Sequence, residues 1–254
     1  MNYDDLIFKI PVESDSYRKD SDFVIKQVIS ILDAQKISGN NKIIINTNLK
    51  LGLPLKDINK IAGPMMEAWA YEVFAGIRDN NNNIYSLVNA EAQERLDMAD
   101  IILQFRKNGE VVTGNIDVKA TADDIPKSGK SPNLTSFSRI RTAYVKDPDF
   151  MFIILSIKHK NYSQRNSVTN LIDGIMEITD YKAYDLKYIS NDDISYNPAL
   201  GTGQIQVKDI HYVSLQYRTT WEMCQLLDKK FLHSSRRTIK DFYREAKKNK
   251  WIKE

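Results

Sequence analysis

The 254-residue chain holds one cysteine, Cys224. No internal disulfide can form, and a zinc site built from cysteines has no second thiolate to draw on. The three histidines, His159, His211 and His233, are too scattered for an HxH or HExxH pattern, which argues against a zinc hydrolase. Gly201-Thr202-Gly203 is not followed by Lys-Ser or Lys-Thr, so it reads as a turn and not a phosphate-binding loop. Apolar runs such as Phe150–Ile157 fall far short of a bilayer crossing. Met1–Asp5 is polar, with no basic stretch leading into an apolar one, so no secretory signal is expected. A reducing, cytoplasmic setting fits. There is no internal repeat and no long Pro/Gly/Ser linker.

What is present is ordinary globular composition, 42% hydrophobic and 27% charged, which excludes collagen-like, coiled-coil and wholly disordered chains. The net charge of +3 hides an asymmetry. Residues 229–254 carry ten Lys/Arg against three acids, so the rest of the chain is net acidic. A basic tail of this kind suits a polyanion partner or a solvated helix face. Length allows one large domain or two small ones, and the expectation taken forward is one domain over 1–254, with a basic helical region from about 219.

Spaced apolar positions predict a helix over 22–36, and Gly63-Pro64 opens another over 64–78, where proline in the first turn costs no hydrogen bond. A third helix is expected over 135–146, and Asn80–Asn83 reads as a loop. Phe150–Ile157 predicts a strand buried on both faces, with Tyr184–Ile189 and Gln204–Val213 as further strands. Thr219 and Glu222 form a capping box that starts a long helix. The three tryptophans, Trp69, Trp221 and Trp251, fall on expected helices as packing residues, and Cys224 reads as a small buried side chain. Strands mixed with helices give an α/β class around one sheet.

The most informative segment is 100–119. Asn108-Gly109 is a two-residue turn in which both positions tolerate positive φ. That turn pairs Lys107 with Glu110 and brings Asp100 opposite Asp117. Ile101, Leu103, Phe105, Val112, Ile116 and Val118 then share one face. Asp100, Gln104, Arg106, Thr113, Asn115, Asp117 and Lys119 share the other. Carboxylates about 5 Å apart repel, unless a cation sits between them or one keeps a proton. With Lys119 on the same face, the group suits a hard divalent ion and a nearby water. Asp97, at odd offset from Asp100, points to the opposite face.

Asp100 followed by Asp117-Val118-Lys119 on the next strand resembles the PD-(D/E)xK nuclease motif. Met98-Ala99-Asp100-Ile101-Ile102-Leu103, Ile116-Asp117-Val118-Lys119 and Ser131-Pro132-Asn133-Leu134 resemble the HincII-like type II restriction endonucleases in order and spacing. So do Gly63-Pro64-Met65-Met66-Glu67, Gln204-Ile205-Gln206 and Arg218-Thr219-Thr220. The resemblance implies a central mixed sheet flanked by helices and a homodimer on double-stranded DNA. It implies Mg²⁺ held by Asp100, Asp117 and the carbonyl of Val118, Lys119 at the attacking water, and Glu67 assisting. It also implies a six-base palindrome of the GTYRAC type cut to blunt ends. The Lys130–Asn133 loop, with Ser131, would enter the DNA, and Asn133 and Asn197 would contact bases. Two departures are Ala120, where the family has a hydroxyl residue, and a longer 120–131 loop.

Asparagine and glutamine read adenine bidentately in the major groove, which adds Gln204 and Gln206 to Asn133 and Asn197. Ser136, Ser138, Arg139 and Arg141 open a helix suited to clamping phosphates. Lys119 is left open between general base and positioning group, since a metal lowers and carboxylates raise its pKa. The competing functions are a repair or junction nuclease of the same fold and a noncatalytic DNA-binding module.

Overall fold

The structure, a computed structural model, describes residues 2–80, 82–94, 96–123, 131–199 and 201–253. In chain order the elements are α1 (Tyr17–Ile37), β1 (Lys42–Ile45), α2 (Leu55–Lys60), α3 (Ala62–Arg78), β2 (Leu87–Ala92), β3 (Ile101–Lys107) and β4 (Glu110–Ala122). Then come β5 (Asn133–Ser136), α4 (Phe137–Lys146), β6 (Phe152–Arg165), β7 (Ile172–Asp185), β8 (Ile194–Asn197), β9 (Gln204–Val207), α5 (Thr220–Leu232) and α6 (Ile239–Lys248). They condense into two compact units. One comprises Met1–Ser21, Lys130–Phe152 and Asp185–Glu254, the other Asp22–Gly129 and Ile153–Tyr184. No helix among the described residues is long and apolar enough to cross a membrane.

The second unit is built on a six-stranded sheet in the order β1-β7-β6-β4-β3-β2. Its β3–β4 hairpin has the register the turn predicts, with Lys107 paired to Glu110 and Ile101 to Ile116. Asn108 and Gly109 both take positive φ, 54° and 90°, so the turn twists with its strands. On β4 and β6, Gly114 lies beside Ile153, and the Asp123 N–H donates to the His159 carbonyl at 2.9 Å. These neighbours advance together along both strands, so β4 and β6 run parallel and the sheet is mixed, as the α/β reading expects.

Val24, Val28, Ile31 and Leu32 of α1 follow helical spacing and are all fully buried. Val24 sits directly over Gly114, the smallest residue on the apolar face of β4, and Phe23 meets Phe105 edge to face. Of the expected strand 150–157, β6 takes up Phe152–Ile157, which is buried throughout, while Phe150 is half-buried ahead of it. Each such Ile or Leu contributes roughly 1.5–3 kcal/mol by leaving water.

The other unit holds a three-stranded sheet, β5-β9-β8, with α4, α5 and α6. Its core is aromatic: Phe137 stacks on Phe231 at 4.6 Å and meets Trp251 edge-on at 5.5 Å. The Thr219–Glu222 capping box is present at the start of α5.

Four local expectations are corrected. Residues 135 and 136 belong to β5, and α4 begins at Phe137 because the Ser136 side chain caps it, accepting from the Arg139 N–H. Leu186–Tyr188 is a 3-10 turn, because the Asp185 carboxylate captures the Lys187 N–H at 2.9 Å. The strand begun at Gln204 stops at Val207, and Asp209 then takes φ 43°, which no ladder accommodates. Trp251 lies beyond α6, packed in the core.

A Cβ at Gly114 would come 2.8 Å from Val24 Cγ1. Gly114→Ala is expected to cost about 1–3 kcal/mol through overpacking. In urea titrations, Val24→Ala should recover part of that loss in the double variant. Strict additivity would show that the two residues do not press on each other.

Candidate functional site

All four residues of the expected catalytic group lie in the unit containing the six-stranded sheet. The regular β3–β4 ladder ends at Ile101–Ile116, and Asp100 grips β4 on either side of Asp117. Its N–H donates to the Ile116 carbonyl at 2.9 Å, and its Oδ2 accepts from the Val118 N–H at 2.7 Å. On its other side, the Asp100 carbonyl accepts from the Gln93 N–H at 2.9 Å. Asp97 is engaged elsewhere, its carboxylate closing a turn on the Glu94 N–H.

The Lys119 ammonium donates to Asp117 Oδ1 at 2.7 Å and to the Val118 carbonyl at 3.3 Å. Asp117 is only 3% exposed, and its Oδ2 has no hydrogen-bond partner among the described residues. Burial is the largest influence on it and pushes its carboxyl up. Lys119 pulls it down, Asp100 and Glu67 push it further up, and it comes to about 7. Glu67 reaches this field from α3: burial is the main influence raising its pKa, Asp100 adds to the rise, and Lys119 lowers it. A buried carboxylate oxygen without a donor, beside two further acids and one ammonium, is a local excess of negative charge. Such a site favours a proton or a cation.

The expected DNA-contacting residues lie in the other unit, apart from Lys130, which is outside the described residues. Two cross-strand rows form on one face of the small sheet. Asn133 pairs with Gln206 and Gln206 with Ser195; Ser136 pairs with Gln204 and Gln204 with Asn197. Ile205 and Val207 alternate to the buried face. Gln206 Nε2 donates to the Ser131 carbonyl at 3.1 Å and to Asn133 Oδ1 at 2.9 Å. Asn197 Oδ1 accepts from the Ala199 N–H at 3.0 Å. Among the described residues, each asparagine keeps its amide N–H₂ and one oxygen lone pair. Ser195, not marked from the sequence, shares this face, as its offset of two from Asn197 requires.

On α4, Ser138 shares a 2.9 Å hydroxyl contact with Thr202, and Arg139 is exposed. Arg141 corrects the expectation of a phosphate clamp. It is 0% exposed, and its Nε and Nη2 bind Asp228 at 2.9 and 3.2 Å, while Tyr3 Oη donates to the same carboxylate at 2.8 Å. Its role is internal neutralisation of Asp228. Cys224 is buried too, and burial pushes its thiol up to about 12.

The Asp117 geometry generates a pH test. In the folded protein its carboxyl holds a proton up to about pH 7; unfolded, only to about 3.8. The folded state therefore binds more protons across that window, and stability of the metal-free protein falls as pH rises through it. Asp117→Asn, melted in EDTA, should exceed the native chain in Tm at pH 8, with the gain shrinking toward pH 4. An equal difference at both pH values would refute this.

A model of the family described as type II restriction endonuclease HpaI matches residues 4–250. The chain is also 69% identical, over 254 residues covering 100% of both chains, to the type II restriction enzyme HpaI of Haemophilus parainfluenzae. With a family match over nearly its whole length and this level of identity, the chain belongs to the HpaI family of type II restriction endonucleases and is a site-specific deoxyribonuclease.

Proposed function

We propose that the chain cleaves both strands of duplex DNA at a short palindrome using Mg²⁺, with Asp100, Asp117, Lys119 and the Val118 carbonyl as its catalytic group, on a PD-(D/E)xK, HincII-like plan. The observation that carries this reading is the buried, unpartnered Oδ2 of Asp117 beside Asp100. The donor set suits the ion: carboxylate and carbonyl oxygens are hard ligands. No group of three or more His, Cys, Asp or Glu among the described residues has metal-cage spacing. The remaining ligands would come from water, main chain and substrate, which is how Mg²⁺ is usually held.

When bound, Mg²⁺ supplies Lewis-acid stabilisation of charge on the phosphate and lowers the pKa of a water. Asp100 and Asp117 contribute the anionic oxygens. Lys119, already fixed by Asp117 and the Val118 carbonyl, presents its ammonium where it orients the attacking water. Glu67 adds negative field behind the aspartates. The polar rows of the small sheet, with Asn133, Asn197, Gln204 and Gln206, offer amides of the type that read adenine edges. Ser131, Ser138 and Arg139 are suited to phosphates. A palindrome is matched by a twofold dimer, each copy cutting one strand.

Digestion of a plasmid of known sequence with Mg²⁺, followed by sequencing of fragment ends, tests this directly. Discrete fragments with blunt ends at the centre of a GTYRAC-type palindrome are expected. Nicking confined to branched DNA would transfer the site to a junction nuclease. Asp117→Ala and Lys119→Ala should each lower cleavage by about 10³-fold or more, the scale of losing several kcal/mol of charge stabilisation. Both should still bind the site in Ca²⁺, as gel shift would show.

A further inference from the structure

Four lysines, Lys9, Lys247, Lys250 and Lys253, surround a concavity of about 610 Å³ with Tyr243 and Ile252 at its wall. All four are exposed, and none has an acidic partner among the described residues. Four ammoniums around one hollow repel one another, and an anion relieves that repulsion.

The lysines come from two separate parts of the chain that the backbone fastens together. Phe8 and Ile252 form an antiparallel bridge, the Lys9 N–H donates to the Trp251 carbonyl at 2.7 Å, and the Lys253 N–H to the Ile7 carbonyl at 2.7 Å. Trp251 anchors this ribbon in the aromatic core, with its indole N–H on Thr142 Oγ1 at 2.9 Å. The hollow is therefore held by buried structure.

Lys250 carries the second observation. It follows the C-cap of α6 at φ 58°, and the Trp251 N–H closes back on the Ala246 carbonyl at 2.8 Å. This is the left-handed position after a helix where glycine is favoured, because a Cβ strains it. The strained residue is itself one of the lysines that line the hollow.

We propose that this pocket seats the phosphodiester backbone of duplex DNA outside the recognised bases, an inference that rests on the DNA-cleaving function. Ammoniums on flexible stems match phosphates spaced along a strand and carry no base information. They would supply affinity through counterion release.

The test measures binding of a duplex lacking any candidate palindrome, by fluorescence anisotropy from 50 to 300 mM NaCl without Mg²⁺. The variants are K9Q/K247Q/K250Q/K253Q and K250G. Each lysine engaged should make the slope of log affinity against log salt shallower by about 0.9, so the quadruple variant should lose about 3 to 4 and K250G about 1. K250G should also melt no lower than the native chain, since glycine relieves the left-handed strain. That separates lost charge from lost folding, and it decides the matter even if the quadruple variant does not fold. An unchanged slope in K250G and in a folded quadruple variant overturns the proposal. Binding of inorganic triphosphate is measured on the same variants, and its loss with the DNA slope unaltered also overturns the proposal, assigning the hollow to a small anion. Plasmid cleavage by the native chain is scored separately. A lost slope without native cleavage removes the nuclease reading and keeps the pocket; cleavage with an unchanged slope removes only the pocket.

Discussion

The repulsion between Asp100 and Asp117 is the constraint around which the larger unit is organised. A tight turn at Asn108-Gly109 sets the register, and the register delivers both acids to one end of a hairpin. The protein does not relax this conflict. It binds Asp100 to β4 on both flanks of Asp117, buries Asp117, and offers one ammonium for two aspartates and a nearby glutamate. Holding like charges together in low dielectric costs stability, and such local costs concentrate where chemistry is done. The apolar face of the same strands carries the opposing contribution, with Val24 seated on Gly114 and the fully buried stripe of α1 above it.

Much of this group was legible because it is local. Two turn residues, a period of two and an Asp-x-Lys spacing determine which side chains share a face, and none of that requires knowledge of distant partners. The capping box at Thr219 was legible for the same reason. Features resting on remote contacts were not. Arg141 looked like a helix-opening phosphate ligand, yet its partner Asp228 is 87 residues away and fully buried. Strand β7 went unmarked because its apolar residues are interrupted by Asp173, Gly174, Glu177, Thr179 and Lys182, and only pairing with β1 and β6 makes the segment extended. Likewise β6 runs on to Arg165 after its apolar run ends, because a neighbouring strand continues beside it.

The two units embody different physics. The larger concentrates negative charge in a buried corner and leaves one oxygen without a donor. The smaller spreads polar amides over an open strand face and gathers around a hollow four lysines that have no acidic partner among the described residues. A phosphodiester substrate has matching requirements: charge neutralisation at the reacting phosphorus, hydrogen bonding at base edges, and cationic contacts along the rest of the strand. Arg141, withdrawn from water in the smaller unit, serves the interior by neutralising Asp228 under a layer of aromatic rings.

The buried Cys224 has a practical corollary. A thiol sealed from water, and held as SH by its surroundings, presents almost no thiolate at neutral pH. As the only sulfhydryl in the chain, it leaves the surface blank to maleimides and iodoacetamides. One cysteine introduced at a chosen exposed position would then accept a fluorophore or spin label alone, without first engineering away the native residue.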